Sequence, residues 1–166
     1  MGALNFSGAT WSTLRRHMAG EREQVAFLLA RHEGSDLTVI DMRCLTGPQV
    51  AATTDHVSLA DDVRGELITW ASTATGCLIE AHSHPYGDPA AFSAHDLHEF
   101  TAWVPHVRWR LRGAAYIALV HAPTSFDALV WSGPESEPRP LDYVSVDQQR
   151  LRPTGITHRH LPRSTR

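Results

Sequence analysis

Hydrophobic and polar positions along the chain alternate between helical spacing and short apolar runs. From Ser12 the segment STLRRHMA, with Leu14 and Met18 four apart, fits a short amphipathic helix that Gly20 can terminate. Glu23 then stands just ahead of VAFLLA, six apolar residues in a row, which suits a strand buried on both faces; periodicity alone also permits one long helix to Arg31. Residues 36–45, DLTVIDMRCL, are rich in Val, Ile, Thr and Leu and follow a Gly-Ser turn, so a second strand pairs with the first as a hairpin. Thr46 to His56 reads as a loop. Ser58 and Asp61 then make a capping box, and Leu59, Val63, Leu67 and Trp70 or Ala71 recur at helical spacing, predicting a helix over about 59–73. Gly76 opens CLIEAHSHP, another strand. Beyond the loop from Pro85 to Phe92, Ser93 and Asp96 form a second capping box ahead of a helix over about 94–103, which Pro105 ends. AAYIALVHA and SFDALVW, separated by a Pro-Thr turn, read as a hairpin in the core, and LDYVSVD adds a last strand. The layout is mixed α/β (α+β): one domain in which a mixed β-sheet is flanked by helices.

Length and composition bound this picture. A chain of 166 residues with 42% apolar content suffices for one ordinary domain, burying about 68–70% of its unfolded surface. From Leu151 the chain is mostly Pro, Thr, His and Arg, so residues 1–150 are expected to fold and 151–166 to form a loosely ordered basic tail. A formal net charge of -3 offers none of the basic excess that drives phosphate-backbone binding. Arg108, Arg110 and Arg112 alternate as on one strand face, with Trp103 and Trp109 nearby, and read as a solvated edge or a partner-binding patch rather than a nucleic-acid site. With no basic leader before an apolar segment and no apolar stretch long enough for a bilayer, the expectation is a soluble cytoplasmic protein that binds no membrane. Cys44 and Cys77 give neither a disulfide framework nor a CxxC pair and read as small buried hydrophobes. The 11 histidines are the compositional oddity, and several cluster.

The sharpest local signal is His82-Ser83-His84. On a strand, residues two apart project to the same face, so both imidazoles can reach one metal ion. Asp96, at the start of the following helix, can supply a third ligand if the loop 85–92 folds back over the strand end. Two histidines, a carboxylate and a water make an open tetrahedral zinc site, the kind that activates water. Glu23 can be carried beside the metal by sheet pairing and accept the proton, with Glu21 as the fallback. Each residue also has a plainer reading: half-exposed histidines, a helix cap at Ser93 and Asp96, polar residues of a turn at Glu21 and Glu23. His95 and His98 read as surface or supporting positions, and Asp88 as an Asx-type turn with its proline.

Taken together, Glu23, HSHP at 82–85, and Ser93 with Asp96 resemble the JAMM signature of the MPN or JAB metalloproteases. EQVAFLLA at 23–30 is similar to that family's segment after its glutamate, with Ala26 and Ala30 where glycines are usual, and Ser93-Ala94-His95-Asp96 matches its S-x-x-D. The gap from His84 to Ser93 is one residue longer than the usual pattern, so the loop must bulge. HPYGDP is also similar to the RadC-like branch. The resemblance covers about Leu14 to Val146. It implies an α/β MPN/JAB-like domain, His82, His84 and Asp96 as ligands of one Zn2+, Glu23 as general base, and Ser93 as a hydrogen-bond donor to the oxyanion. It further implies an isopeptidase acting after the C-terminal glycine of a ubiquitin-like (β-grasp) protein or its conjugate, of the prokaryotic stand-alone kind that works beside an E1-like enzyme. Processing of a β-grasp or sulfur-carrier precursor and a non-catalytic MPN-type scaffold are the competing expectations. Thr46 to His56 corresponds to a segment that covers the substrate tail in related enzymes.

Overall fold

In chain order the computed structural model, which describes residues 2–52, 57–133 and 137–161, runs β1 (Leu4–Phe6), α1 (Gly8–Met18), β2 (Val25–Glu33), β3 (Asp36–Leu45), β4 (Val50–Ala52), β5 (Val57–Leu59), α2 (Asp61–Ala74) and β6 (Cys77–Ser83). Then come α3 (Ala94–Arg110), β7 (Tyr116–His121), β8 (Phe126–Trp131), β9 (Arg139–Pro140), β10 (Val144–Val146), β11 (Gln149–Leu151) and α4 (Ile156–His160). The fold is mixed α/β. Nine strands form one mixed sheet in the order β11-β10-β1-β3-β2-β6-β7-β8-β9. VAFLLA is strand and not helix: β2 and β3 pair antiparallel from Val25↔Leu45 to Glu33↔Asp36, joined by a turn in which Gly34 takes a positive φ of 65°. β6 pairs antiparallel with the other side of β2 and parallel with β7, and β8 closes the predicted core hairpin with β7. β1 covers only Leu37 and Thr38 of β3. Among the described residues, the rest of that strand has a ladder partner on the β2 side alone.

The central strands are buried on both faces because helices cover both. Val25, Phe27, Leu29, Leu78, Tyr116 and Val120 pack with Val63 and Leu67 of α2 and Phe100, Val104 and Val107 of α3. On the other face Ala26, Leu28, Ala30, Ile79, Ala81 and Leu119 pack with Leu14 and Met18 of α1. Ala26 and Ala30 therefore put their methyl groups in the layer opposite α2 and α3.

Several expectations are corrected. α3 does not end at Pro105 but runs to Arg110, because the apolar stripe of Phe100, Val104 and Val107 continues across the proline; Pro105 and Thr101, whose carbonyl loses its helical donor, are both exposed to solvent. Arg108 and Arg110 accordingly lie on a helix and Arg112 in a turn at φ 55°, so no strand face of arginines exists; Arg108 instead donates to the Ala114 and Gly133 carbonyls. α2 starts at Asp61 with Ala60 as its N-cap, while Ser58 lies in β5. The loop expected over Thr46 to His56 contains a 3-10 turn (Gly47–Gln49) and β4, which pairs with β5; residues 53–56 lie outside the described residues. Cys77 is buried and Cys44 half-buried, both as free thiols whose pKa burial pushes up.

The loosely ordered tail expected from Leu151 is corrected as far as Leu161. Leu151 ends β11, and α4 docks on the domain through the buried carboxylate of Asp127, which accepts from the backbone N–H groups of Gly155 and Thr157, both at 2.9 Å. Few apolar residues are needed because these buried hydrogen bonds hold the segment. Residues 162–166 lie outside the description. Among the described residues, no helix is long and apolar enough to cross a membrane.

Candidate metal centre

At the end of β6, Ser83 is the residue that registers the site. Its N–H donates to the Gln24 carbonyl at 3.0 Å and its Oγ accepts from the Gln24 N–H at 2.9 Å, while the His84 N–H donates to the His121 carbonyl at 2.8 Å. The HSH segment is thus clamped between the start of β2 and the end of β7. Because Gln24 is fixed against Ser83, the preceding Glu23 is delivered to the histidines: its Oε1 lies 3.6 Å from His84 Nε2, and the residue is only 4% exposed. Glu21, the fallback base, is exposed.

Asp96 arrives from α3. Ser93 is the helix N-cap: its Oγ accepts from the Asp96 N–H at 3.2 Å and donates to Asp96 Oδ2 at 2.8 Å, and the Ser93 N–H donates to the same oxygen at 2.7 Å. The capping-box and ligand readings are therefore compatible, since the cap aims the carboxylate at the histidines. Asp96 Oδ1 stands 3.5 Å from His82 Nε2, and Asp96 Oδ2 stands 3.3 Å from His84 Nε2. The Ser93 hydroxyl is engaged with Asp96.

His82, His84 and Asp96 form a cluster that could hold a metal ion, one ligand atom from each lying within 4.8 Å of the others. Two observations test the fit. Nitrogen and oxygen ligands bound at about 2.0–2.1 Å in a tetrahedron are about 3.3–3.4 Å apart. The two Asp96–histidine contacts, 3.5 and 3.3 Å through different carboxylate oxygens, are close to this, and the three ligand atoms together lie within 4.8 Å. Moreover, His82 Nε2 is buried without a hydrogen-bond partner. An orphaned buried polar atom costs about 1–3 kcal/mol, and a cation between it and Asp96 would remove that cost. The donor set fits a divalent ion of the borderline-soft kind.

Electrostatics favour a cation as well. Burial works to raise the Asp96 carboxyl, but the close imidazoles of His82 and His84 and the hydrogen bond from the Ser93 backbone outweigh this and hold it well below the usual carboxylate range. Burial would lower the His82 imidazole, yet Asp96 beside it, with Glu80 and Glu23, raises it. Three acidic side chains, Glu23, Glu80 and Asp96, converge on two imidazoles, although burial pushes the Glu80 carboxyl up in spite of His82 and Tyr116 beside it.

The long loop between His84 and Ser93 is pinned from outside. Asp88, at a cis Asp88-Pro89 bond, does not turn on its own backbone as expected; its carboxylate accepts from Thr124 Oγ1 and, at 2.6 Å, from Ser125 Oγ. Ser125 Oγ accepts from the Ala90 N–H at 2.8 Å, Thr154 Oγ1 donates to the Ala90 carbonyl at 2.7 Å, and Thr157 Oγ1 accepts from the Phe92 N–H at 2.9 Å. His95 and His98 are exposed, as expected, and His95 also borders a cleft of about 60 Å³ beside the cluster, with Arg64, Glu80, Phe100 and Trp103. Sequence reasoning missed Glu80, Tyr116 and Thr157. For Glu80 a signal existed: it is the one acid in an apolar strand and stands two residues before His82, hence on the same face.

No family model matches this chain, and no curated protein matches it. Among solved structures it is similar to the solution structure of protein DSY2949 from Desulfitobacterium hafniense, at 16% identity and a TM-score of 0.52, over 88% of this chain and 94% of that one, a likeness of fold.

Proposed function

We propose that this chain is a JAMM-type zinc metallopeptidase that hydrolyses the peptide or isopeptide bond after the C-terminal glycine of a ubiquitin-like protein. One observation carries the reading: the buried Glu23 carboxylate stands 3.6 Å from His84 Nε2, at the same corner as His82 and Asp96. Residues from three separate parts of the chain meet there. Zinc bound by His82, His84 and Asp96 would supply Lewis acidity, polarising the scissile carbonyl and making water acidic enough to attack at neutral pH. Glu23 takes the attacking water's proton at its carboxylate and returns it to the leaving amine. Ser93 holds Asp96 and, by turning its hydroxyl, assists the oxyanion.

The substrate tail, extended and glycine-rich, pairs with a sheet edge near the site, for which the uncovered length of β3 is suited. Partners of this kind are a β-grasp protein and an E1-like enzyme. The free thiols of Cys44 and Cys77 accord with a reducing cytoplasm.

The test has two stages. Bound metal is measured per chain in wild type and His84→Ala, with about one zinc expected in the first and none in the second. Conjugates of candidate ubiquitin-like proteins are then offered, and products are weighed by mass spectrometry to separate isopeptide cleavage from trimming of a precursor. A wild-type chain that takes no metal at neutral pH would sink the hydrolase and leave a scaffold.

A further inference from the structure

A line of polar side chains lies behind the metal ligands, and the reaction above does not use it. Glu80 shares with His82 the face of β6 that packs toward α2 and α3, a face where the neighbouring positions are Phe27, Leu29, Leu78 and Val120. A carboxylate in such surroundings is costly unless its oxygens are bonded. Here they are provided for. Tyr116, fully buried on β7, donates its hydroxyl to Glu80 Oε2, and the Trp103 indole N–H of α3 donates to the Tyr116 oxygen at 2.9 Å. The second oxygen, Oε1, is on the His82 side, 4.0 Å from Nδ1.

The other ring nitrogen explains why an acid is kept there. His82 Nε2 faces Asp96 and has no hydrogen-bond partner. A neutral imidazole carries one proton, so a ring that ligates through Nε2 must hold that proton on Nδ1. Metal-bound histidines commonly donate this outer N–H to a carboxylate, which fixes both tautomer and ring orientation. A shift of about 1 Å brings Glu80 Oε1 into hydrogen-bond range of Nδ1. With Oε2 anchored by Tyr116, a small rotation of the carboxylate supplies it.

We propose that Glu80 is a positioning residue of the metal centre: it accepts the Nδ1 proton of His82, and Tyr116 and Trp103 hold its carboxylate in place to do so. This rests on the reading of His82, His84 and Asp96 as metal ligands. Glu80 touches neither substrate nor metal; it acts through His82.

The experiment uses the full chain as wild type, Glu80→Gln, Glu80→Leu and Tyr116→Phe. Zn2+ affinity is measured by competition with a chromophoric chelator, the visible absorption of the Co2+-loaded protein reports ligand geometry, and circular dichroism of the metal-free proteins reports the fold. Glu80→Leu is expected to bind Zn2+ about 10–100-fold more weakly, with an altered Co2+ spectrum. Glu80→Gln, which keeps an acceptor oxygen, is expected to lose less, and Tyr116→Phe to fall between. Equal affinity and an unchanged Co2+ spectrum in folded Glu80→Leu would overturn the proposal while leaving the metal centre standing. Should Glu80→Leu not fold, Tyr116→Phe decides, because it removes one hydroxyl and leaves the ring; wild-type affinity there overturns the proposal too. A wild-type chain that binds neither Zn2+ nor Co2+ overturns the metal reading and this proposal together.

Discussion

Thr157, near the end of the described chain, accepts a hydrogen bond at 2.9 Å from the backbone N–H of Phe92, in the loop that delivers Asp96 to the histidines. Sixty-five residues separate the two, and the bond is buried. The C-terminal segment is therefore part of the scaffold of the candidate centre, and not an appendage to it.

Thr157→Val keeps the shape of the side chain and removes the acceptor, leaving the Phe92 N–H orphaned. The expected loss is about 1–3 kcal/mol of unfolding free energy, measured by urea titration of the metal-free protein. Weaker Zn2+ binding is expected alongside, since the loop from His84 to Ser93 is then held by fewer bonds. A variant as stable as wild type would show that the tail contributes nothing at this point.

Glu23→Gln is expected to retain zinc and lose about 10²–10⁴-fold in turnover of a cleavable conjugate, because it removes a proton acceptor without removing a proposed ligand. Glu21→Gln is expected to behave as wild type, since Glu21 is exposed. Steady-state rates on one substrate distinguish the pair, and a Glu23→Gln variant with undiminished turnover would remove Glu23 as the proposed base.

Zinc at 100 times its dissociation constant is expected to stabilise the protein by about 2.7 kcal/mol, seen as a rise in thermal midpoint. Asp96→Asn is expected to show a much smaller rise. Asp96 is held well below the usual carboxylate range, a shift that arises despite burial and through its contacts with His82, His84 and Ser93. The amide loses that charge.

His121 supplies a pH signature. Burial first, then the charge of Arg15 and the influence of His82, lower its imidazole from 6.5 to about 3. Between those values the unfolded chain binds a proton that the folded chain refuses, so stability is full above about 6.5 and falls as pH drops toward 3. The contribution to the slope is at most about 1.4 kcal/mol per pH unit. Comparing urea midpoints of wild type and His121→Gln across that range is expected to show a shallower acid limb in the variant.

The strands and helices with clear periodicity, and His82, His84 and Asp96, were legible because local spacing encodes them. Glu23, brought in by the pairing of Gln24 with Ser83, was legible only as a residue that sheet pairing could deliver and that the family resemblance singled out. HSH puts one imidazole in the last residues of β6 and the other just past its end, and S-x-x-D both caps a helix and fixes a carboxylate. Glu80, two residues before His82, was a local signal overlooked, but most misses share a cause, a decision by distant parts of the chain. Pro105 lies within α3 because the core reaches past it. Arg108 became a helix-end tie, and the tail docked through Asp127, whose capping role depends on a partner 28 residues away. Asp88 bonds to Thr124 and Ser125 and not to its own turn. Such pairings leave no periodic trace in sequence.

The two histidines and the aspartate differ in how they are held. β6 is an inner strand, laddered to β2 on one side and β7 on the other, so its amides are expected to exchange with deuterium only on the rarest, most global openings. Asp96 instead hangs on a helix start and a surface loop fastened by side-chain hydrogen bonds. The floor of the candidate centre and its lip are therefore expected to exchange as separate units, the amides of the loop that leads to Asp96 opening at lower free energy than those of β6.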